Sequence, residues 1–243
     1  MNRPEIDTSS FNRLRFVLVE TSRAGNVGSV ARAMKTMGLD KLYLVNPKFF
    51  PDKEAERRAA GAWEILNTAV VCGSLDEALK ETSLAAAVTA RPRDLSHEVF
   101  DARQGAREVL GNARQNQVAL VFGNETAGLT TAEASRCQIL VNIPANPEYS
   151  SLNLASAVQV MVYELRMALS DLASFPRPSG VAATFDDVEL LYRHLERLAI
   201  TRGFLNPEEP KRFEQRMRRL FARARLEKEE VNMLRGILSA LED

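Results

Sequence analysis

"NPEYSSLNLA", residues 146–155, sets two adjacent serines, Ser150 and Ser151, between an Asn-Pro turn and the leucines flanking Asn153. Ala155, Ser156 and Ala157 follow, and Leu154, Val158, Met161, Leu165 and Leu169 recur at helical spacing. The pattern predicts a buried helix from about Ser151 to Leu172. A helix start needs one serine or asparagine to take up its free N–H groups. The longer string of hydroxyl and amide groups fits better with backbone and side chains wrapped around a ligand.

Directly upstream lies the apolar run "QILVNIP" (138–144), and five more precede it: "RFVLVE" (15–20), "LYLVN" (42–46), "AVVCG" (69–73), "LAAAVTA" (84–90) and "QVALVFG" (117–123). Most are Val-, Leu- and Ala-rich without alternation, as in strands covered on both faces. Their spacing of about 15 to 30 residues leaves room for crossover helices, which predicts an α/β fold with a parallel sheet. Downstream, "SFPRPSG" (174–180) reads as a break, and 185–243 as wholly helical. The expected organisation is an α/β domain over 1–173, a linker over 174–184 and a small all-α domain over 185–243.

The 243 residues carry zero net charge, so any nucleic-acid contact must come from local clusters. One such cluster is "KRFEQRMRRLFARAR" (211–225), with seven basic residues against one acidic. Phe213, Met217, Leu220, Phe221 and Ala224 form an expected apolar stripe, with Arg212, Arg216, Arg219 and Arg223 on a neighbouring face. That face is either an ordinary solvated surface or a phosphate-tracking one, and the excess of arginine favours the second. Cys72 and Cys137 make no disulfide framework, and His97 and His194 have no ligand-like spacing, so no metal site is expected. The polar first fifteen residues and the lack of an apolar run near the roughly 20 residues that span a bilayer predict a cytoplasmic protein without membrane contact.

Open parallel sheets bind ligands beyond the carboxyl ends of their strands. After the first strand comes "TSRAGNVGSVARAMKTMG" (21–38), read as a tight turn at Gly25 and Gly28, a cap at Asn26 or Ser29, and a helix. Val30, Ala31, Met34 and Met37 face the core and Arg32 points away. It is neither a phosphate loop nor the dinucleotide fingerprint. After the fifth run comes "FGNETAGL" (122–129): Gly123 marks a close backbone approach, and Glu125 is either a helix-start acid or a site residue. The third loop is the stretch quoted first.

Together, "GNVGSVARA", "FGNETAGL" and "NIPANPEYSSLNLASA" resemble the three motifs of the SPOUT RNA 2'-O-ribose methyltransferases, TrmH-like branch, over roughly residues 14–172. The third motif and the helical tail resemble the members that methylate the ribose of nucleotide 32 in the tRNA anticodon loop. The resemblance implies a deep trefoil knot near the C-terminal end of the sheet, which pattern reasoning alone would not suggest. It also implies a homodimer, with S-adenosylmethionine as cofactor and tRNA as partner. By position, Val88, Thr89, Ala90, Gly123, Ile143, Ser150, Ser151 and Leu152 would hold the cofactor. The same resemblance gives Arg32 the catalytic role. An arginine has no acceptor lone pair, so Arg32 would orient or polarise the ribose hydroxyl rather than act as a literal base. Glu125, Asn124 and Asn153 would support the site. Arg91 and Arg93 are RNA contacts or exposed loop charges. The remaining readings are a related ribosomal RNA ribose methyltransferase, a non-catalytic RNA-binding relative and a generic nucleotide-binding enzyme. Intact Arg32, Glu125, Ser151 and Asn153 argue against the second, and the missing dinucleotide fingerprint against the third.

Overall fold

The structure, a computed structural model, describes residues 8–90, 98–169, 180–208 and 213–242. Each of the six apolar runs supplies a strand: β1 (Leu14–Val19), β2 (Leu42–Val45), β3 (Val70–Cys72), β4 (Thr82–Val88), β6 (Gln117–Phe122) and β7 (Ile139–Asn142). A seventh, β5 (Glu98–Asp101), was not expected. It is a largely exposed edge strand with no apolar run of its own, and it exists through its pairing with β7. All neighbours are parallel, in the order β3-β2-β1-β6-β4-β7-β5.

The lack of alternation has the expected cause. Phe16 and Leu18 of β1 face one core, where Phe16 and Phe122 stack at 6.2 Å, while Val17 and Val19 face a second core on the other side of the sheet. The first core is closed by α1 (Ala24–Met37), α2 (Lys53–Ala59), α5 (Ala102–Ala113) and α7 (Leu154–Ala168). The second lies under α4 (Leu75–Leu79) and α6 (Thr131–Ala134). The five residues read as the buried stripe of α7, from Leu154 to Leu169, are all buried. The short α3 (Trp63–Asn67) links α2 to β3.

Two local readings are corrected. Gly25, Asn26, Gly28 and Ser29 lie inside α1, whose N-cap is Arg23 and which has no side-chain cap. Gly28 serves close helix packing rather than a turn: a Cβ there would sit 2.0 Å from the Ala55 carbonyl oxygen on α2. In the tail, the elements are α8 (Phe185–Thr201), α9 (Phe213–Ala224) and α10 (Lys228–Ala240). The inward residues of α9 are Arg218 and Ala222, whereas Leu220 is 46% exposed and Ala224 faces solvent. Arg218 turns inward because it pairs with Glu189 of α8 and with Glu214 (2.8 Å) and lies 4.6 Å over the Tyr192 ring. Burial opposes its charge, but the bonds to Glu189 and Glu214 outweigh that and hold the guanidinium protonated.

Residues 180–184, expected within the linker, are packed. Ala183 is buried and bonds Leu226, and Thr184 caps α8 in a reciprocal pair with Asp187. Phe185 inserts into the second core beneath the sheet. Arg136 joins Asp76 to Glu189, and Arg225 reaches Glu98 and Glu108. The tail is therefore docked on the α/β layer. Among the described residues, no helix is long and apolar enough to cross a membrane.

Candidate active site

β1, β6, β4 and β7 are consecutive in the sheet, so the loops after their carboxyl ends converge although they are far apart in sequence. Gly123 follows β6, and the chain folds back over it. A Cβ at Gly123 would lie 2.1 Å from the Leu129 nitrogen and 2.2 Å from the Gly128 carbonyl carbon. The close approach expected here is thus to the chain's own backbone. Asn124 fixes the crossing: its carbonyl accepts from Gly128 N–H (2.8 Å), and its side-chain oxygen accepts from Thr126 N–H (2.8 Å). Its amide donates to the Glu20 carbonyl (2.5 Å), tying the β6 loop to the β1 loop.

Glu125 makes the tighter tie. One carboxylate oxygen accepts from the Ser22 N–H (2.9 Å) and hydroxyl (2.8 Å), the other from the Asn26 amide (2.9 Å). Burial raises its pKa, but the donors from Ser22 and Asn26 outweigh burial and hold the carboxyl below its ordinary range. Asn26 passes the link onward, since its side-chain oxygen accepts from the Asn153 amide (3.1 Å). Asn153 in turn accepts from Ala155 N–H (2.9 Å) as the N-cap of α7. One continuous chain of polar contacts, Ser22–Glu125–Asn26–Asn153, therefore joins all three strand-end loops. Glu125 is a bridging acid here rather than a helix cap. On the far side, Asn142 donates to the Thr89 carbonyl (3.1 Å), holding the β4 and β7 exits together.

These loops enclose a cleft of about 120 Å³. Val88, Thr89, Ala90, Gly123, Ile143, Ser150, Ser151 and Leu152 all line it, together with Glu125, Leu129 and Leu154. The lining is backbone and apolar surface with few charges, and its outer wall, Ser150–Leu152, is exposed. Arg32 is exposed on α1 and makes no hydrogen bond or ion pair with any described residue. Arg91, Arg93 and Arg212 lie outside the described residues. Arg216 and Arg223 are exposed, while Arg219 is half-buried with a shielded, unpartnered Nε.

Sequence reasoning missed Ser22 and undervalued Asn26. Ser22 carries no motif, and only the sheet order brings it to Glu125. Asn26 stood in a recognisable motif, but reading it as a cap hid its bridging part.

Residues 13–163 match the SpoU rRNA Methylase family, and residues 186–243 match the C-terminal domain of the tRNA methyltransferase TrmJ. The tRNA (cytidine/uridine-2'-O-)-methyltransferase TrmJ of Pectobacterium atrosepticum is 47% identical over 234 residues, covering 95% of this chain and 97% of its own. The tRNA (cytidine/uridine/adenosine-2'-O-)-methyltransferase TrmJ of Pseudomonas aeruginosa is 46% identical over 241 residues, covering 94% and 93%. Among solved structures, TrmJ from Z. mobilis aligns with a TM-score of 0.83 at 31% identity, covering 94% of this chain and 99% of that one.

Proposed function

The chain belongs to the SpoU methylase family, and from that premise we propose that it is an S-adenosylmethionine-dependent tRNA 2'-O-ribose methyltransferase. The observation that carries the reading is the polar chain through Ser22, Glu125, Asn26 and Asn153, which holds three strand-end loops around one cleft. The match of the C-terminal helices to a tRNA methyltransferase domain and the relatives' substrates favour tRNA over ribosomal RNA. The finer assignment is nucleotide 32 of the anticodon loop.

The cleft suits S-adenosylmethionine, which would supply an electrophilic methyl group. Strand-end backbone at Val88–Ala90 offers main-chain partners, and Ile143, Leu129 and Leu154 offer apolar contact. At about 120 Å³ the cleft is below the 300–1,000 Å³ usual for small-molecule sites, and it is open beside the exposed Ser150–Leu152, where a larger ligand would extend outward. The chemistry asks the protein to place a ribose hydroxyl in line with the methyl and to ease its proton away. Arg32 does the placing: its guanidinium donates to the hydroxyl or an adjacent phosphate and has no lone pair to take the proton, which passes by way of the neighbouring phosphate oxygen to solvent. Glu125, already saturated by donors, keeps the Asn26–Asn153 wall in place rather than acting as the base.

The reading includes the trefoil knot that the family resemblance implies, a homodimer, an α/β catalytic domain ending near residue 173, and a helical tail whose Arg216, Arg219 and Arg223, with Arg212, contact RNA. Arg91 and Arg93 add RNA contacts at the β4 exit. The test is incubation with labelled S-adenosylmethionine and bulk unmodified tRNA, followed by mapping of methylated riboses. Methyl transfer to a ribose 2'-oxygen, at nucleotide 32, is the expected result. Methylation of a base, or of no RNA, overturns it.

A further inference from the structure

A second cleft, of about 580 Å³, opens on the other side of the carboxamide wall. It shares Asn26 and Asn153 with that wall and continues over Ser29 to Phe49, Asp52 and Arg58. Arg32 lies one turn beyond Ser29 on the same side of α1. The two clefts are thus back to back, with the Asn26–Asn153 contact between them.

Three features show what the second cleft fits. Phe49 is 50% exposed, yet its loop is held firmly. The neighbouring Lys48 N–H donates to the Thr21 carbonyl (2.9 Å), and the Lys48 ammonium lies 5.4 Å from the Phe49 ring centre. The strand exits beneath it are strained: Glu20 and Asn46 both hold left-handed φ values, 50° and 45°, which non-glycine residues rarely adopt. Finally, the charged groups around the cleft balance, Arg23 and Arg58 against Asp52 and Glu54, so it is no phosphate hole. A firmly placed aromatic face in a polar, charge-balanced cleft matches the way proteins hold unstacked bases of single-stranded RNA.

We propose that this cleft receives the nucleobase of the nucleotide whose ribose is methylated, laid against the Phe49 ring. The proposal rests on the ribose-methylation reading. A ribose hydroxyl presented at the Asn26–Asn153 wall leaves its base on the far side, where this cleft lies. Asn26 and Asn153 each spend their carbonyl oxygen and one N–H on one another, on Glu125 and on Ala155, which leaves a single N–H apiece for a base edge beside the broad face of Phe49, so stacking outweighs edge-reading in this pocket. Phe49 is therefore a positioning residue that accepts more than one base.

The test is a double-mutant cycle between protein and RNA. Wild-type enzyme and Phe49→Ala are titrated with tRNA at fixed salt, and with the same tRNA carrying an abasic ribose at the position mapped for the wild type. Phe49→Ala is expected to weaken binding of intact tRNA about tenfold, the scale of one stacked base. The abasic tRNA should show a similar loss with wild type and no further loss with Phe49→Ala. Phe49→Tyr should restore binding, and S-adenosylmethionine affinity should be unchanged in both variants, which also reports an intact fold. An equal penalty on intact and abasic tRNA, or no penalty on intact tRNA, overturns the proposal. If the wild type methylates no ribose, the parent reading fails and this one with it. A wild type that methylates normally beside a silent Phe49→Ala rejects only the base pocket.

Discussion

Glu125 holds three donors on two oxygens, and none of those contacts survives loss of its charge unchanged. Its folded pKa is lowered, so the stability it lends is complete above the unfolded value of about 4.3 and is lost as pH falls through the lower folded value. In Glu125→Gln an amide faces donors from Ser22 or Asn26. The thermal midpoint of the variant should lie below that of the wild type by a constant margin at neutral pH, and the margin should shrink as both are melted at successively lower pH below about 4. A margin independent of pH would mean the carboxylate charge is not what the loops hold. Arg32 behaves in the opposite way, because nothing described depends on it structurally. Arg32→Ala should cut single-turnover methyl transfer by at least about a hundredfold while calorimetric S-adenosylmethionine binding and the melting temperature stay put. A drop in cofactor affinity or a lower melting temperature would return Arg32 to a structural role. At this scale the sequence was most informative where a motif marks a residue that the loops then hold, as at Glu125. It was silent on Ser22, whose part depends only on what the sheet brings near.

The packing of α1 on α2 turns on two glycines that differ in what surrounds them. At Gly28 an added Cβ meets the backbone oxygen of Ala55 at 2.0 Å, while at Gly25 it meets the end of the Glu54 side chain at 2.9 Å. Backbone cannot step aside and a carboxylate can. Gly28→Ala should therefore cost about 1–3 kcal/mol through overpacking, a fall of roughly 2–12 °C in melting temperature by calorimetry. Gly25→Ala should be neutral or slightly stabilising, because alanine is the better helix former. Equal effects at the two sites would rule out helix–helix proximity as the cause. The glycine spacing was readable, but its meaning was not, because a turn and a close helix crossing ask for the same residue. β5 escaped for a related reason: "EVFD" is exposed and has no periodicity, and the edge of β7 makes it a strand. The stripe of α9 was read only in part: Phe221 packs against the tail core, but hydropathy places every arginine outside, whereas Glu189, Glu214 and Tyr192 together draw Arg218 inward.

For the whole molecule, the docked tail leaves Arg216 and Arg223 exposed on α9, beside the half-buried Arg219. Replacing Arg216 and Arg223 with alanine should weaken tRNA binding and lower the slope of log affinity against log salt by roughly 0.7–0.9 for each phosphate no longer neutralised, with S-adenosylmethionine binding unchanged. An unaltered salt slope would make α9 an ordinary solvated surface. The parallel α/β layer and the helical tail were both legible because each follows from local apolar patterning, whereas the order of the strands was not. That order has a consequence for how the chain comes off the ribosome. β4 pairs only with β6 and β7, which are both made after it, and β1 reaches its inner partner β6 roughly a hundred residues later. At ordinary translation rates, the uncharged segment "TSLAAAV" waits on the order of several seconds with both edges bare. Its protection during synthesis must come from outside the sheet, so a chain stalled before Gln117 is the form of this protein most prone to aggregate.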